Sequence, residues 1–194
     1  MRTDVVMAGL GGQGLMTIGR ALATAAMREG KSVSYLPNYS PEVRGGWANC
    51  TVVISDAAVG SPSLGEPSAV IALEASSLAK HAPTLRPGGL LLVNTTRASE
   101  PVGRDDIRLV AVPASEIADR LGDERAANVV MLGAYVAASG AVALSSVEAA
   151  IRDQLKRRLQ LIDLNVNALH AGAACVAGEA SPPAPLSKGE GSTT

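Results

Sequence analysis

The sequence predicts an α/β fold: a three-layer sandwich around a largely parallel or mixed central sheet, with a helical C-terminal third. Three observations lead there. Short runs of aliphatic and β-branched residues recur at 3–8, 51–54, 69–73, 90–94 and 108–112, the signature of buried strands. Segments of helical spacing stand between several of them, which argues for strands joined by crossover helices. From residue 114 onward only helical patterns remain.

The first strand, 3–8, runs into the glycine stretch AGLGGQG (8–14), and a helix follows over 13–29. Its residues Leu15, Ile18, Leu22 and Ala25 fall on one face, and Gly30 supplies the stop. The next strand, 32–36, ends at Pro37. Residues 37–47 (PNYSPEVRGGW) carry too much proline and glycine for regular structure. Thr51-Val52-Val53-Ile54 is then a buried strand, AVIAL (69–73) and LLLVN (90–94) are two more with a helix over 75–82 between them, and RLVAV (108–112) is the last.

Helices are expected at 114–121, 128–139, 145–155 and 158–172, with Asn128 capping the second of these and Gly140 ending it. Leu155, Leu159, Ile162, Val166 and Leu169 form an apolar stripe for packing on the sheet or a neighbour, and Lys156-Arg157-Arg158 is a solvated helix start or turn. From Gly178 the composition GEASPPAPLSKGEGSTT has no apolar period, so residues 1–177 are expected to form a single domain and 178–194 a disordered tail.

Composition narrows the function. The 194 residues contain 47% hydrophobic and 18% charged residues but only 2% aromatic ones, with no Phe and one Trp, so the core is aliphatic. A net charge of -1 and so few aromatic rings argue against nucleic-acid binding. Two cysteines, Cys50 and Cys175, are too few for an iron-sulfur cluster or a cysteine-based zinc site, and no metal site is expected. Residues 126–144 are nearly uncharged, yet Ala, Gly, Ser and Asn dilute them, which suits a buried helix or subunit interface rather than a membrane span. The opening Met1-Arg2-Thr3-Asp4 does not suit a secretory signal, and a cytoplasmic location is expected.

The glycine stretch contains G-x-G-x-x-G. A strand turning sharply into a helix points backbone N–H groups at the turn, glycine removes the Cβ that would hold a ligand away, and the helix dipole favours an anion. A dinucleotide fold also needs an acid at the end of the second strand to hold the ribose. Ser32-Val33-Ser34-Tyr35-Leu36-Pro37 has none. The glycines can serve a phosphate, a dinucleotide or merely tight packing. The second glycine pair follows that strand in YSPEVRGGW (39–47), and both loops are expected to line one crevice. There Gly9, Gly11, Gly12, Gln13 and Gly14 would be joined by Arg44 with its planar donor fork, by Gly45 and Gly46, and by Tyr39 and Asn49 as hydrogen-bonding groups. Arg44 as a surface partner of Glu42 is the alternative.

GLGGQG with its helix, REGKSVSYLPNYSPEVRGGWANCTVVISD (28–56), RPGGLLLVNTT (86–96) and LNVNALHAG (164–172) together resemble the gamma subunit of the 2-oxoacid:ferredoxin oxidoreductases, the family of the pyruvate, 2-ketoisovalerate and 2-oxoglutarate enzymes. The resemblance covers about residues 3–176, and the pairing of G-x-G-G-Q-G with P-E-V-R-G-G is far more specific than either motif alone. The chain departs from it at Asn38-Tyr39-Ser40, where relatives often show a Ser-Tyr-Gly-like run. What the resemblance implies is a subunit of a hetero-oligomeric oxidoreductase that decarboxylates a 2-oxoacid to an acyl-coenzyme A and passes electrons to an iron-sulfur acceptor. Thiamine diphosphate would sit on alpha and beta subunits and iron-sulfur clusters on those or on a ferredoxin-like subunit or ferredoxin, with coenzyme A shared at the glycine loops and the isolated chain inactive. A stand-alone nucleotide-dependent oxidoreductase and a ligand-free scaffold are the competing readings. No catalytic residue is assigned: His81 and His170 have no acidic partner at a telling spacing, and Cys50 reads as a small buried residue.

Overall fold

The computed structural model describes residues 2–39, 46–59 and 65–178. It contains β1 (Arg2–Leu10), α1 (Leu15–Arg28), β2 (Ser32–Tyr39), β3 (Trp47–Ser55), β4 (Ala69–Ala72), α2 (Ala75–His81), β5 (Leu90–Asn94), β6 (Arg108–Val112), α3 (Ala114–Arg120), α4 (Ala127–Ser139), α5 (Leu144–Gln154) and α6 (Ile162–Gly178). The six strands form one sheet in the order β2-β3-β1-β4-β5-β6. From β1 to β6 the pairing is parallel, whereas β3 runs antiparallel to both β1 and β2. The sheet is therefore mixed, and the predicted α/β class with its helical last third is what the chain adopts.

Strands 32–36 and 51–54 are each longer than their apolar runs. The segment expected to be irregular, 37–47, is sheet at both ends, because β2 continues through Pro37 to Tyr39 and β3 begins at Trp47; residues 40–45 lie outside the described residues. Pro37 opposes Cys50 in an edge strand, the one kind of strand in which a missing N–H can face away from the ladder. Asp4 is nine-tenths buried and clamps β1 to the start of β4. Its carboxylate accepts the Ser68 N–H at 2.5 Å, its own N–H donates to Ser68 Oγ at 2.9 Å, and Ser68 Oγ donates back to the Asp4 carbonyl at 2.6 Å.

The two faces of the sheet are covered unequally. Val5, Met7, Val52, Ile71 and Leu92 face the thick layer of α1, α4, α5 and α6, while Val6, Ala8, Val70, Leu91 and Val93 face α2 and the turn after it. In α4 every residue from Ala127 to Val136 is buried. A helix apolar all round must be enclosed by protein, and α4 is, with α6 laid across it: a Cβ at Gly133 would stand 1.9 Å from the Leu169 carbonyl oxygen, and one at Gly172 would stand 1.9 Å from that of Val130. Among the described residues no helix is long and apolar enough to cross a membrane.

Two local expectations need correction. Asn128 does not cap α4; Ala126 stands at the cap, and the Asn128 amide donates instead to the Gly14 carbonyl at 3.2 Å. The stripe 155–169 is divided between two helices as expected, but the second begins at Ile162 rather than at 158, and Leu159 is exposed in a short turn before it. Lys156, Arg157 and Arg158 lie exposed in that turn, as solvated charges should. Of the expected tail only Gly178, the end of α6, lies within the described residues.

Candidate functional site

The glycine loop leaves β1 at its carboxyl end. There Leu10 pairs with Trp47, the first residue of β3, and β2 ends opposite Ala48. The start of β3, with Gly46 before it, thus stands beside the glycine loop because β3 runs antiparallel between β1 and β2. The two are tied directly: the Gly11 N–H donates to the Gly46 carbonyl at 2.8 Å. The same insertion of β3 keeps β2 from lying beside β1, so the position where a dinucleotide fold would hold a ribose is not formed.

Gly9, Gly12 and Gly14 differ in what surrounds them. A Cβ at Gly9 would stand 2.2 Å from Gln13 Oε1, because the Gln13 side chain folds back to accept the Leu10 N–H at 2.7 Å. At Gly14, φ +73°, a Cβ would meet the Asn128 amide at 2.2 Å. Gly12, φ +96°, has nothing within 4 Å of a Cβ, so its backbone is open to whatever approaches. The N–H groups of Gly12 and Gly14 have no backbone acceptor among the described residues. α1 begins without a side-chain cap and with no acid in its first turn, which leaves its positive end for an anion. This cradle fits a phosphate group.

On the β3 side the loop opens into a hollow of about 330 Å³ lined by Leu10, Gly11, Gly12, Gly14, Met16 and Ala48. Below it Cys50 is fully buried, and its thiol donates to the Leu15 carbonyl at 3.3 Å. Burial pushes that thiol up to about 12, so it stays protonated and inert at neutral pH. Gly46 is joined to the loop, while Asn49 lies within β3 opposite Ala8 and Asn38. Arg44, Gly45 and Glu42 lie outside the described residues, as does the side chain of Tyr39.

On its other side the loop borders a cleft of about 200 Å³ reached by Leu73, Asn94, Arg97, Ser115, Arg125 and Asn128. Sequence reasoning missed these residues. Asn94 is almost fully buried at the end of β5; its amide donates to the Leu73 carbonyl at 3.3 Å and to Ser115 Oγ at 3.1 Å, while its oxygen accepts the N–H groups of Ala114 at 3.1 Å and Ser115 at 3.3 Å. A polar residue closing the otherwise aliphatic run LLLVN was the available signal.

The two histidines lie apart from these hollows. His170 does have an acidic partner, Glu148 of α5, with Nε2 at 2.9 Å from Oε2, a pairing between helices that chain spacing hides. Burial lowers the affinity of His81 for a proton. Among the described residues no group of three or more His, Cys, Asp or Glu side chains is placed to hold a metal ion.

Comparison with known proteins agrees with the fold. A family model described as pyruvate ferredoxin/flavodoxin oxidoreductase matches residues 4–175. Ketoisovalerate oxidoreductase subunit VorA of Methanothermobacter thermautotrophicus is 43% identical over 171 residues, 87% of this chain but 35% of that protein, so the chain spans about a third of its length. The 2-oxoglutarate synthase subunit KorC of the same organism is 33% identical over 179 residues, 89% of this chain and 94% of its own. The crystal structure of the keto/oxoacid ferredoxin oxidoreductase gamma subunit from Geobacter sulfurreducens superposes with a TM-score of 0.79 at 31% identity, over 91% of this chain and 99% of that one. The chain belongs to the pyruvate ferredoxin/flavodoxin oxidoreductase family.

Proposed function

We propose that the chain is the gamma component of a 2-oxoacid:ferredoxin oxidoreductase, working in a hetero-oligomer that converts a 2-oxoacid to an acyl-coenzyme A. The observation that carries this reading is the Gly11–Gly46 bond. It ties Gly46, the last glycine of the second motif, to the glycine loop at the open end of an uncapped helix, and relatives named as gamma subunits support the reading. In this arrangement bond cleavage and electron carriage belong to thiamine diphosphate and iron-sulfur clusters on alpha, beta and ferredoxin-like partners. Coenzyme A supplies the thiol that takes the acyl group.

This chain's own part is to bind and position. The N–H groups of Gly12 and Gly14 and the first turn of α1 meet a phosphate of coenzyme A, and Arg44 adds a fixed positive charge from the second loop. Such contacts hold a group without reacting with it, which matches the inert Cys50 beneath them.

Purification of the chain from native extract with its partners, followed by dye reduction dependent on both a 2-oxoacid and coenzyme A, tests the proposal. Co-purifying thiamine-binding subunits and activity with at least one acid of a panel are expected. A chain that purifies alone and turns over a substrate with its own bound nicotinamide or flavin would overturn it.

A further inference from the structure

β1 and β4 are neighbours in the sheet, yet their connections leave in opposite directions. The chain leaves β1 through α1 on the thick face toward β2, and leaves β4 through α2 on the thin face toward β5. Where two adjacent parallel strands part in this way, a crevice opens outside their carboxyl ends, and open α/β sheets place ligands there. The cleft of about 200 Å³ lies at that position, between Gly12 and Gln13 after β1 and Leu73 after β4. It is a different hollow from the one bordered by Ala48 on the far side of the glycine loop.

Beside the Glu124 carboxylate, which is paired with Arg97, several polar groups around it keep donors left over from other bonds. Ser115 is 5% exposed and its oxygen accepts from Asn94, which leaves the hydroxyl proton with no acceptor among the described residues. Gln13 spends its oxygen on Leu10, leaving its NH₂. Arg97 is held by Glu124 through Nη2 alone, leaving Nε and Nη1; Arg125 is held by Asp123 through Nε and Nη2, leaving Nη1. Arg97 and Arg125 are exposed, with side chains 51% and 86% accessible, and each guanidinium is paired on one edge with a free edge that can take an oxyanion. The volume limits what enters, since pockets for whole drug-sized ligands begin at about 300 Å³.

We infer that this cleft is a second anion site, which takes a phosphate group with little more than its ester carbon, held by Arg97, Arg125, Ser115 and the Gln13 amide. The inference does not depend on the 2-oxoacid reading. Coenzyme A dependence can fail to respond to Arg44 while the cleft still binds phosphate, and the reverse.

The test is a titration of the ¹⁵N-labelled full chain with inorganic phosphate, followed by nuclear magnetic resonance. Saturable shifts confined to Gln13, Asn94, Ser115 and their neighbours are expected, with affinity reduced about tenfold by Arg97→Gln or Arg125→Gln, each the loss of one charge-assisted bond. Ser115→Ala should weaken binding with the rest of the spectrum unchanged. Shifts that rise without saturating, or an affinity unaltered in the double variant R97Q/R125Q, would overturn the site. Two further arms identify the source of the phosphate. Displacement by coenzyme A but not by its 3′-dephospho form assigns the ribose phosphate of that ligand; retention of phosphate against both assigns a free phosphate ester.

Discussion

Gly133 of α4 and Leu169 of α6 face each other with no side chain between them, since a Cβ on the first would lie 1.9 Å from the carbonyl oxygen of the second. The obstacle is backbone rather than a flexible side-chain end, so the helices would have to separate. Gly133→Ala is expected to destabilise the chain by about 3 kcal/mol or more, the upper end for an overpacked core, and Gly172→Ala, 1.9 Å from the Val130 carbonyl, by a similar amount. Denaturant unfolding of both variants checks this. Losses below about 1 kcal/mol would mean the crossing is looser than described.

Gly9 and Gln13 form a second close pair, but here the obstacle is the end of a side chain. Gly9→Ala should expel the Gln13 amide from its bond to Leu10, at a cost of about 1–3 kcal/mol for the N–H left without an acceptor. Gln13→Ala should cost nearly the same, and the double variant less than the two together. A double-mutant cycle by thermal or urea unfolding measures the difference. Strict additivity would show that Gly9 is constrained by something else, such as Leu73.

Arg44 carries the charge in the proposed coenzyme A cradle. Replacement with Ala is expected to raise the coenzyme A concentration needed for half-maximal dye reduction about tenfold or more, as loss of a charge-assisted contact does, with 2-oxoacid decarboxylation largely intact. An unchanged requirement would remove Arg44 from the site.

Glu148 is held below its ordinary value of 4.5, first by its bond to His170 and then by Arg152. A carboxylate lowered on folding contributes stability that is present above its unfolded value and lost as pH falls through the folded one. Wild type should therefore exceed Glu148→Gln by up to about 1 kcal/mol near pH 6, the range for a surface pair. The gap should close as pH drops below about 4.5. Unfolding curves at a series of pH values test both sign and window; a gap that widens on acidification would refute the assignment.

The fold was largely legible because burial writes itself into composition. Thr51-Val52-Val53-Ile54 had to be a covered strand, and the glycine at 30 had to end a helix. What escaped were features decided between distant segments. Pro37 reads as a strand stop, and it is tolerated because β2 is an edge, a fact of sheet order that no local window contains. Asn128 reads as a cap, yet its amide reaches the Gly14 carbonyl from 114 residues away. The tie between Gly11 and Gly46 lay within reach of sequence reasoning, since both motifs follow strands; the antiparallel β3 that brings them together did not. Asn94 and Ser115 meet only because β5 and β6 are parallel and in register.

The enclosure of α4 also orders events during synthesis. Ten successive buried residues emerge from the ribosome before α6, the helix that crosses over them. Until then they have only the sheet to shelter against, and their outward side is a sticky surface of the kind chaperones bind. Nascent chains cut near residue 160 and extended by a flexible linker long enough to carry α4 clear of the exit tunnel should accordingly associate with holdases, and chains extended through α6 in the same way should not.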